Sequence, residues 1–201
     1  MAAKGGVLML VLLLLSLAAI YIFGQKLWLL HGMSRSDRGF MDNIRSLIRA
    51  GKADEALGLC QSTDSPSARM VRKGLERIGR PLSDVKDAVE NTGNIEVARL
   101  EKGLPMLATI AGGAPMIGFL GTVIGMVQAF YNMSAAGSNV DINLLSDGIY
   151  TAMITTVGGL IVGIIAYFGY NYLTSRISDL VFGMENATME FMDLLEEKVE
   201  K

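Results

Sequence analysis

Residues 103–136 read GLPMLATIAGGAPMIGFLGTVIGMVQAFYNMSAA, without one aspartate, glutamate, lysine, arginine or histidine. An uncharged run of this length is a membrane-spanning helix; buried helices of soluble domains are shorter and are flanked sooner by charge. A second such run follows at Gly148–Ser175, 28 residues again without charge. At helical rise it extends about 42 Å, enough to cross the hydrocarbon with tilt and project beyond it. Upstream, Gly5 to Leu30 reads GGVLMLVLLLLSLAAIYIFGQKLWLL, with 21 uncharged residues between Lys4 and Lys26. That gives roughly 32 Å of helix, with Tyr21 and Trp28 near one end, where amphipathic rings prefer the headgroup level. A cleaved signal peptide is the competing reading of this first block. The run is long for an h-region and no clear small-x-small site precedes a polar start, so a retained span is expected.

The whole chain agrees with these blocks. Its 201 residues are 51% hydrophobic, with a mean hydropathy of +0.39 and a formal net charge of −2. That charge offers no argument for nucleic acid. The one cysteine, Cys60, excludes an intramolecular disulfide framework and reads as a small buried residue. The one histidine, His31, has no Cys or His at ligand spacing, so neither a metal nor a cofactor is expected. The fold class expected is an all-α membrane protein of three transmembrane helices, the second and third extended into a cytoplasmic helical bundle. The divisions are 5–30 for the first span, 31–102 for a cytoplasmic helical region, 103–136 for the second span and 137–147 for a periplasmic connector. The third span is 148–175 and a cytoplasmic C-terminal helix is 176–201.

Orientation follows from the basic residues. Of 18 Lys and Arg, Lys4 precedes the first span, 14 lie from Lys26 to Lys102, none lies in the connector, and Arg176, Lys198 and Lys201 close the chain. The positive-inside bias therefore predicts an N-terminus outside and a C-terminus in the cytoplasm. Between the first two spans, Ser36 and Asp37 are expected to cap a helix bearing Phe40, Ile44, Leu47 and Ile48 and ending near Gly51. Ala53 to Cys60 repeats the pattern. Ser65-Pro66 is an N-cap with proline at the first helical position, opening a helix with Met70, Val71, Leu75 and Ile78. Gly79-Arg80-Pro81 breaks it, Ser83 is expected to cap the next, and that helix is expected to run on into the second span. Apolar positions at Ile177, Leu180, Val181, Met184, Phe191, Leu194 and Leu195 continue the third span as an amphipathic helix. Helical periodicity alone shows burial, so mutual packing of these helices is the plain reading. No phosphate loop, nucleophile elbow or paired His/Glu motif occurs, and an enzyme is not expected.

Within the spans, small residues recur at helical spacing. Ala114, Gly118 and Thr122 share one face of the second span beside Pro115, and Gly121 with Gly125 forms a GxxxG pair on a neighbouring face. In the third, Ala152, Thr156, Gly159 and Gly163 form a stripe with Thr151 and Thr155 adjacent. Small residues let membrane helices approach closely, which is the expected role of the glycines. The hydroxyls of Thr122, Thr151, Thr155 and Thr156 have two readings. They can bond back to their own helix, or they can face the bundle interior and hydrate a path. A proton path needs an ionisable relay, and neither uncharged span contains a carboxylate, lysine or histidine. If ions pass, the titrating group belongs to another subunit or to water.

The elements LP, AP-x-IG-x-x-GTV-x-G and TT-x-x-GL, within roughly residues 99–175, resemble the signature region of the ExbB/TolQ/MotA proton-channel family. One span before a cytoplasmic region resembles its ExbB/TolQ branch. The resemblance implies a homopentamer in the bacterial inner membrane, surrounded by membrane lipids and enclosing a dimer of single-span ExbD/TolR-like partners. Each partner would carry an intramembrane aspartate. Protonmotive force would then energise a TonB- or TolA-like protein acting on the outer membrane, in support of protein transport. The family's pore-lining threonines fall on Thr122 and Thr156. Thr151 stands where well-known ExbB members have a glutamate, so a glutamate role does not carry over. Two other readings stay open: a non-conducting scaffold of an envelope or secretion complex, and a flagellar-type stator subunit.

Overall fold

The computed structural model describes residues 6–36, 39–135 and 142–199, and no strand occurs among them. The helices are α1 (Gly6–Ser36), α2 (Phe40–Arg49), α3 (Ala53–Ser62), α4 (Pro66–Leu75), α5 (Leu82–Glu101), α6 (Leu104–Ala135) and α7 (Ile142–Val199). Three stretches are long and apolar enough to cross a membrane: Gly6–Met33, Leu82–Ala135 and Gly148–Glu197. The chain is an all-α membrane protein. It forms two compact units, one from the described residues of Met1–Gln25 and Gly103–Leu173, the other from those of Lys26–Lys102 and Thr174–Lys201.

In the first unit, α1, α6 and α7 pack through small residues and a few large ones, among them Leu12, Leu107, Ile110 and Leu173, and turn many other large ones outward. Ala114, Ala129, Ala152 and Ala166 are buried, whereas Val7, Met116 and Phe168 are mostly exposed. Large apolar side chains left facing outward suit lipid as solvent, because apolar surface facing acyl chains costs nothing. On α7, Gly158 receives Met9 and Leu12 of α1 and Gly169 receives the Phe23 ring. Phe23 and Tyr172 stand 6.4 Å apart, ring centre to ring centre.

The second unit has a conventional core. Phe40, Ile44 and Ile48 of α2, Ala56 and Cys60 of α3, Met70, Val71 and Leu75 of α4, Val89 of α5 and Phe191 of α7 are buried. Ser65 caps α4, its hydroxyl accepting from the Ala68 N–H at 3.1 Å, with Pro66 at the first helical position where its missing N–H is harmless. Gly74 leaves room for the Phe191 ring: a Cβ there would overlap Phe191 Cε1 and lie 2.9 Å from Val89 Cγ2. Glu96, nearly fully buried, accepts from Arg69 at 2.8 Å and Arg99 at 3.0 Å, and Arg69 also reaches Asp64 at 2.7 Å. Burial alone would lower the Arg69 pKa, but the bonds to Glu96 and Asp64 outweigh it and raise it. Burial pushes the Cys60 thiol up to about 11.

Several boundaries differ from the sequence expectation. α5 and α6 are separate helices: Lys102 adopts ψ 121° and Gly103 φ +95°. A left-handed glycine ends a helix cheaply, and Pro105 supplies no N–H to rejoin one. The break leaves the carbonyls of the last turn of α5 without helical donors. Lys26, only 7% exposed, supplies them from α1: its Nζ donates to Leu100 O at 2.8 Å and Arg99 O at 3.2 Å. α4 stops at Leu75, leaving Ile78 in the following turn and exposed. Ser83 lies inside α5, whose N-cap is Pro81 with no side-chain cap bond, because proline's extended ψ already turns the chain into the helix. Ser36 belongs to the end of α1, Asp37 lies outside the described residues, and α2 starts from Gly39 at φ +75°. The first block runs past Leu30 because His31–Ser36 holds no helix breaker stronger than Gly32; Gly5 lies outside the described residues. α7 begins at Ile142, so helix occupies 142–147, where Ile142, Leu144 and Leu145 stand among the turn-forming Asn143, Ser146 and Asp147. The remainder of the connector, 137–141, and residue 136 at the end of the expected second span lie outside the described residues.

Candidate functional site

The threonines and glycines singled out above meet along the seam between α6 and α7. The approach is close because both helices present residues of minimal volume. A Cβ built on Gly159 would lie 2.5 Å from the Ala114 carbonyl oxygen and 2.9 Å from Gly118 Cα. One on Gly118 would lie 2.9 Å from the Thr155 carbonyl oxygen. Gly163 faces the Pro115 ring, Gly121 faces the Thr155 side chain and Gly125 faces Ala152. The backbones therefore touch over several turns.

The hydroxyls use that proximity. Thr156 Oγ1 donates across the seam to Gly118 O at 3.0 Å, and Thr122 Oγ1 lies 3.3 Å from Ala152 O on the facing helix. The two hydroxyls are also hydrogen-bonded to each other. Thr155, buried, donates back to Ala152 O of its own helix at 2.7 Å. Thr151 is half-buried one turn earlier, and no hydrogen bond joins it to the pair among the described residues. Thr122 and Thr156 thus form a reciprocal clasp, each hydroxyl near a carbonyl of the other helix, with one flank only half-buried. A hydroxyl both donates and accepts, so the clasp can hold the helices together or pass hydrogen bonds along. No group of three or more His, Cys, Asp or Glu able to hold a metal occurs among the described residues.

The sequence reading did not find the partners of this seam that lie nearer its other end. Gly148 packs on Ala129, at 2.7 Å between a built Cβ and the alanine Cβ. The signal was present: 114, 118, 121, 125 and 129 on α6, and 148, 152, 155, 159 and 163 on α7, repeat at four, three, four and four. That spacing marks a continuous small-residue heptad seam.

Comparison with known proteins bears on these residues directly. The model of the MotA/TolQ/ExbB proton channel family matches residues 62–186, which contain the whole clasp. The chain belongs to this family. Among similar proteins, a putative biopolymer transport protein ExbB homolog of Methanothermobacter thermautotrophicus is 35% identical over 175 residues, covering 84% of this chain and 62% of the relative. The chain thus spans less than two thirds of that relative's length. A putative biopolymer transport protein ExbB-like 1 of Synechocystis is 31% identical over 179 residues, 86% of this chain and 68% of the relative. The Tol-Pal system protein TolQ of Haemophilus influenzae is 36% identical over 102 residues, 51% of this chain and 44% of the relative. These similarities lie in the ExbB/TolQ branch of the MotA/TolQ/ExbB family.

Proposed function

We propose that this MotA/TolQ/ExbB family member is the channel subunit of an ExbB–ExbD or TolQ–TolR type motor in a bacterial inner membrane. In this reading its N-terminus is periplasmic and its C-terminus cytoplasmic, with the spans and cytoplasmic regions divided as the sequence suggests. Copies of the chain surround a dimer of single-span partners, and protonmotive force is transmitted to a TonB- or TolA-like protein. The observation that carries the reading is the Thr122–Thr156 hydroxyl pair, held between two spans whose sequences contain no aspartate, glutamate, lysine, arginine or histidine. Hydroxyls can relay or hydrate but cannot store a proton, so the titrating group must come from the partner. Thr151, on the same stretch of α7, keeps that stretch polar without a carboxylate of its own.

The test is Thr122→Val and Thr156→Val, singly and together, measured as proton flux into liposomes holding the chain with its single-span partner. An interhelical hydroxyl bond in a membrane contributes only about 0.6 kcal/mol on average, so assembly should survive. Flux should fall at least tenfold. Wild-type flux from a correctly assembled double variant refutes the assignment. The clasp itself favours one alternative, a non-conducting scaffold, because both hydroxyls already meet backbone carbonyls. Absence of flux from the wild-type pair under any applied proton gradient would select it.

A further inference from the structure

Within the second unit, α5 carries two contrasting faces at one level. On one side Met70, Val97, Met184 and Met189 line a half-open groove of about 370 Å³, with Glu90 and Glu185 at its edges. On the other, Ile95 is 61% exposed, and Arg99 and Lys102, four and seven residues further on, share its face and are exposed. Gly93 and Val97, which line the groove, are two residues from Ile95 and so point to the opposite side of the helix at 100° per residue. Ile95, more exposed than Ile78 and followed on its face by two cations, is a knob with a basic flank. The groove is a methionine-rich hole that also holds Asn94, Thr188, Glu185 and Glu90, the last paired with Lys86 at 3.7 Å, and methionine, flexible and polarizable, adapts to what enters it.

The heights match. Val89 and Phe191 both meet Gly74 and are therefore level. Val97 and Val181 line the same groove, so residue numbers rise along α5 as they fall along α7. Ile95 stands six residues, about 9 Å, from Val89, and Glu185 six residues, about 9 Å, from Phe191. Knob and hole thus lie at the same level on different sides of one chain. Equal level lets a heterologous contact close into a ring without climbing into a filament, whereas a twofold contact would need one self-complementary patch.

We propose that the Ile95–Arg99–Lys102 ridge of one copy seats in the methionine-lined, glutamate-rimmed groove of the next copy of this chain. The contact rests on the homo-oligomer of the proposed function and names the surfaces that build it outside the membrane. Arg99 keeps its bond to Glu96 at 3.0 Å while 58% of its side chain stays exposed, so its other donors are available to the neighbouring rim.

The experiment uses the full chain in native membranes with Cys60→Ala as background. Ile95→Cys and Glu185→Cys, placed in one chain, should give a ladder of covalent oligomers on mild oxidation. Two differently tagged single variants, co-expressed, should give a mixed dimer. Ile95→Cys paired with Ile78→Cys, at the exposed turn after α4, should give at least fivefold less product. As an independent measurement, Ile95→Asp should leave the helical content of the chain unchanged, because the residue is exposed in the single chain, while shifting native mass in micelles to smaller species. Absence of the Ile95–Glu185 product together with an unchanged native mass for Ile95→Asp overturns the contact and leaves the homo-oligomer standing. A monomeric native mass for the wild type overturns the contact and the homo-oligomer alike. Self-crosslinking of the Ile95→Cys single variant into dimers, with no mixed product, replaces it with a twofold interface.

Discussion

Substituting Gly159 by alanine puts one methyl group where two backbones meet. The built Cβ stands 2.5 Å from the Ala114 carbonyl oxygen, 2.9 Å from Gly118 Cα and 3.1 Å from Gly118 N, all main-chain atoms of α6. No rotamer change relieves such a contact; the helices must part by about 0.9 Å to reach ordinary van der Waals separation. The Thr156–Gly118 O bond, 3.0 Å in the native seam, then stretches beyond hydrogen-bonding range. Overpacking of this kind costs about 1–3 kcal/mol, to which the lost hydroxyl bond adds roughly 0.6 kcal/mol. Alanine's helix propensity returns at most about 1 kcal/mol. A net loss of about 1–2.5 kcal/mol is expected. Gly112→Ala is the control, since a Cβ there meets nothing within 4 Å, and it should be neutral or slightly stabilising. Thermal unfolding in detergent micelles, followed by the surviving folded peak on size exclusion, measures both. Equal melting of Gly159→Ala and wild type would refute the claim that backbone contact sets the seam.

Three further outcomes follow from the second unit. Lys26→Met removes both donors from the end of α5 and should lower stability by roughly 1–3 kcal/mol, whereas Lys26→Arg should recover most of it in the same melting assay. Glu96→Ala leaves Arg69 with Asp64 alone. Because Arg69 is partly exposed, a loss of about 2–3 kcal/mol is expected, below the range for a fully buried pair, and denaturant unfolding of the membrane-extracted chain would read it. Cys60, whose thiol is pushed up to about 11, should react with iodoacetamide at pH 8 at least 50-fold slower in the folded chain than after unfolding. The neutral thiol is the form the fold prefers. Its stability contribution is therefore complete below the unfolded thiol's pKa and is lost as pH rises through 9 towards about 11.

The sequence displays what depends on composition and period. Uncharged length marks the three spans, and four-and-three spacing marks the small-residue stripes of α6 and α7. The Ser65-Pro66 cap is legible because capping is chemistry between near neighbours. The break at Gly103 was present as Gly-Leu-Pro but was outweighed by the hydropathy boundary on the same residues. Ile78 fits the periodicity of α4, yet the chain had already turned at Leu75. Lys26 and Glu96 were not legible at all. Lysine at a span boundary reads as a solvated end, and its partners lie more than seventy residues away as carbonyls, groups every residue carries. The acceptors of the threonine clasp, Gly118 O and Ala152 O, were hidden for the same reason.

The clasp leaves its protons a choice. Thr122 and Thr156 bring two hydroxyl hydrogens to the Gly118 carbonyl, the Ala152 carbonyl and each other's oxygen. With Thr156 turned to Gly118, Thr122 can point to Thr156; with Thr122 turned to Ala152, Thr156 can point back. Because Ala152 O also accepts from Thr155, the two orientations differ in energy, but exchanging them requires only two bond rotations and no movement of either helix. The pair is therefore a small reversible dipole, oriented by whatever charge stands nearest its half-buried flank.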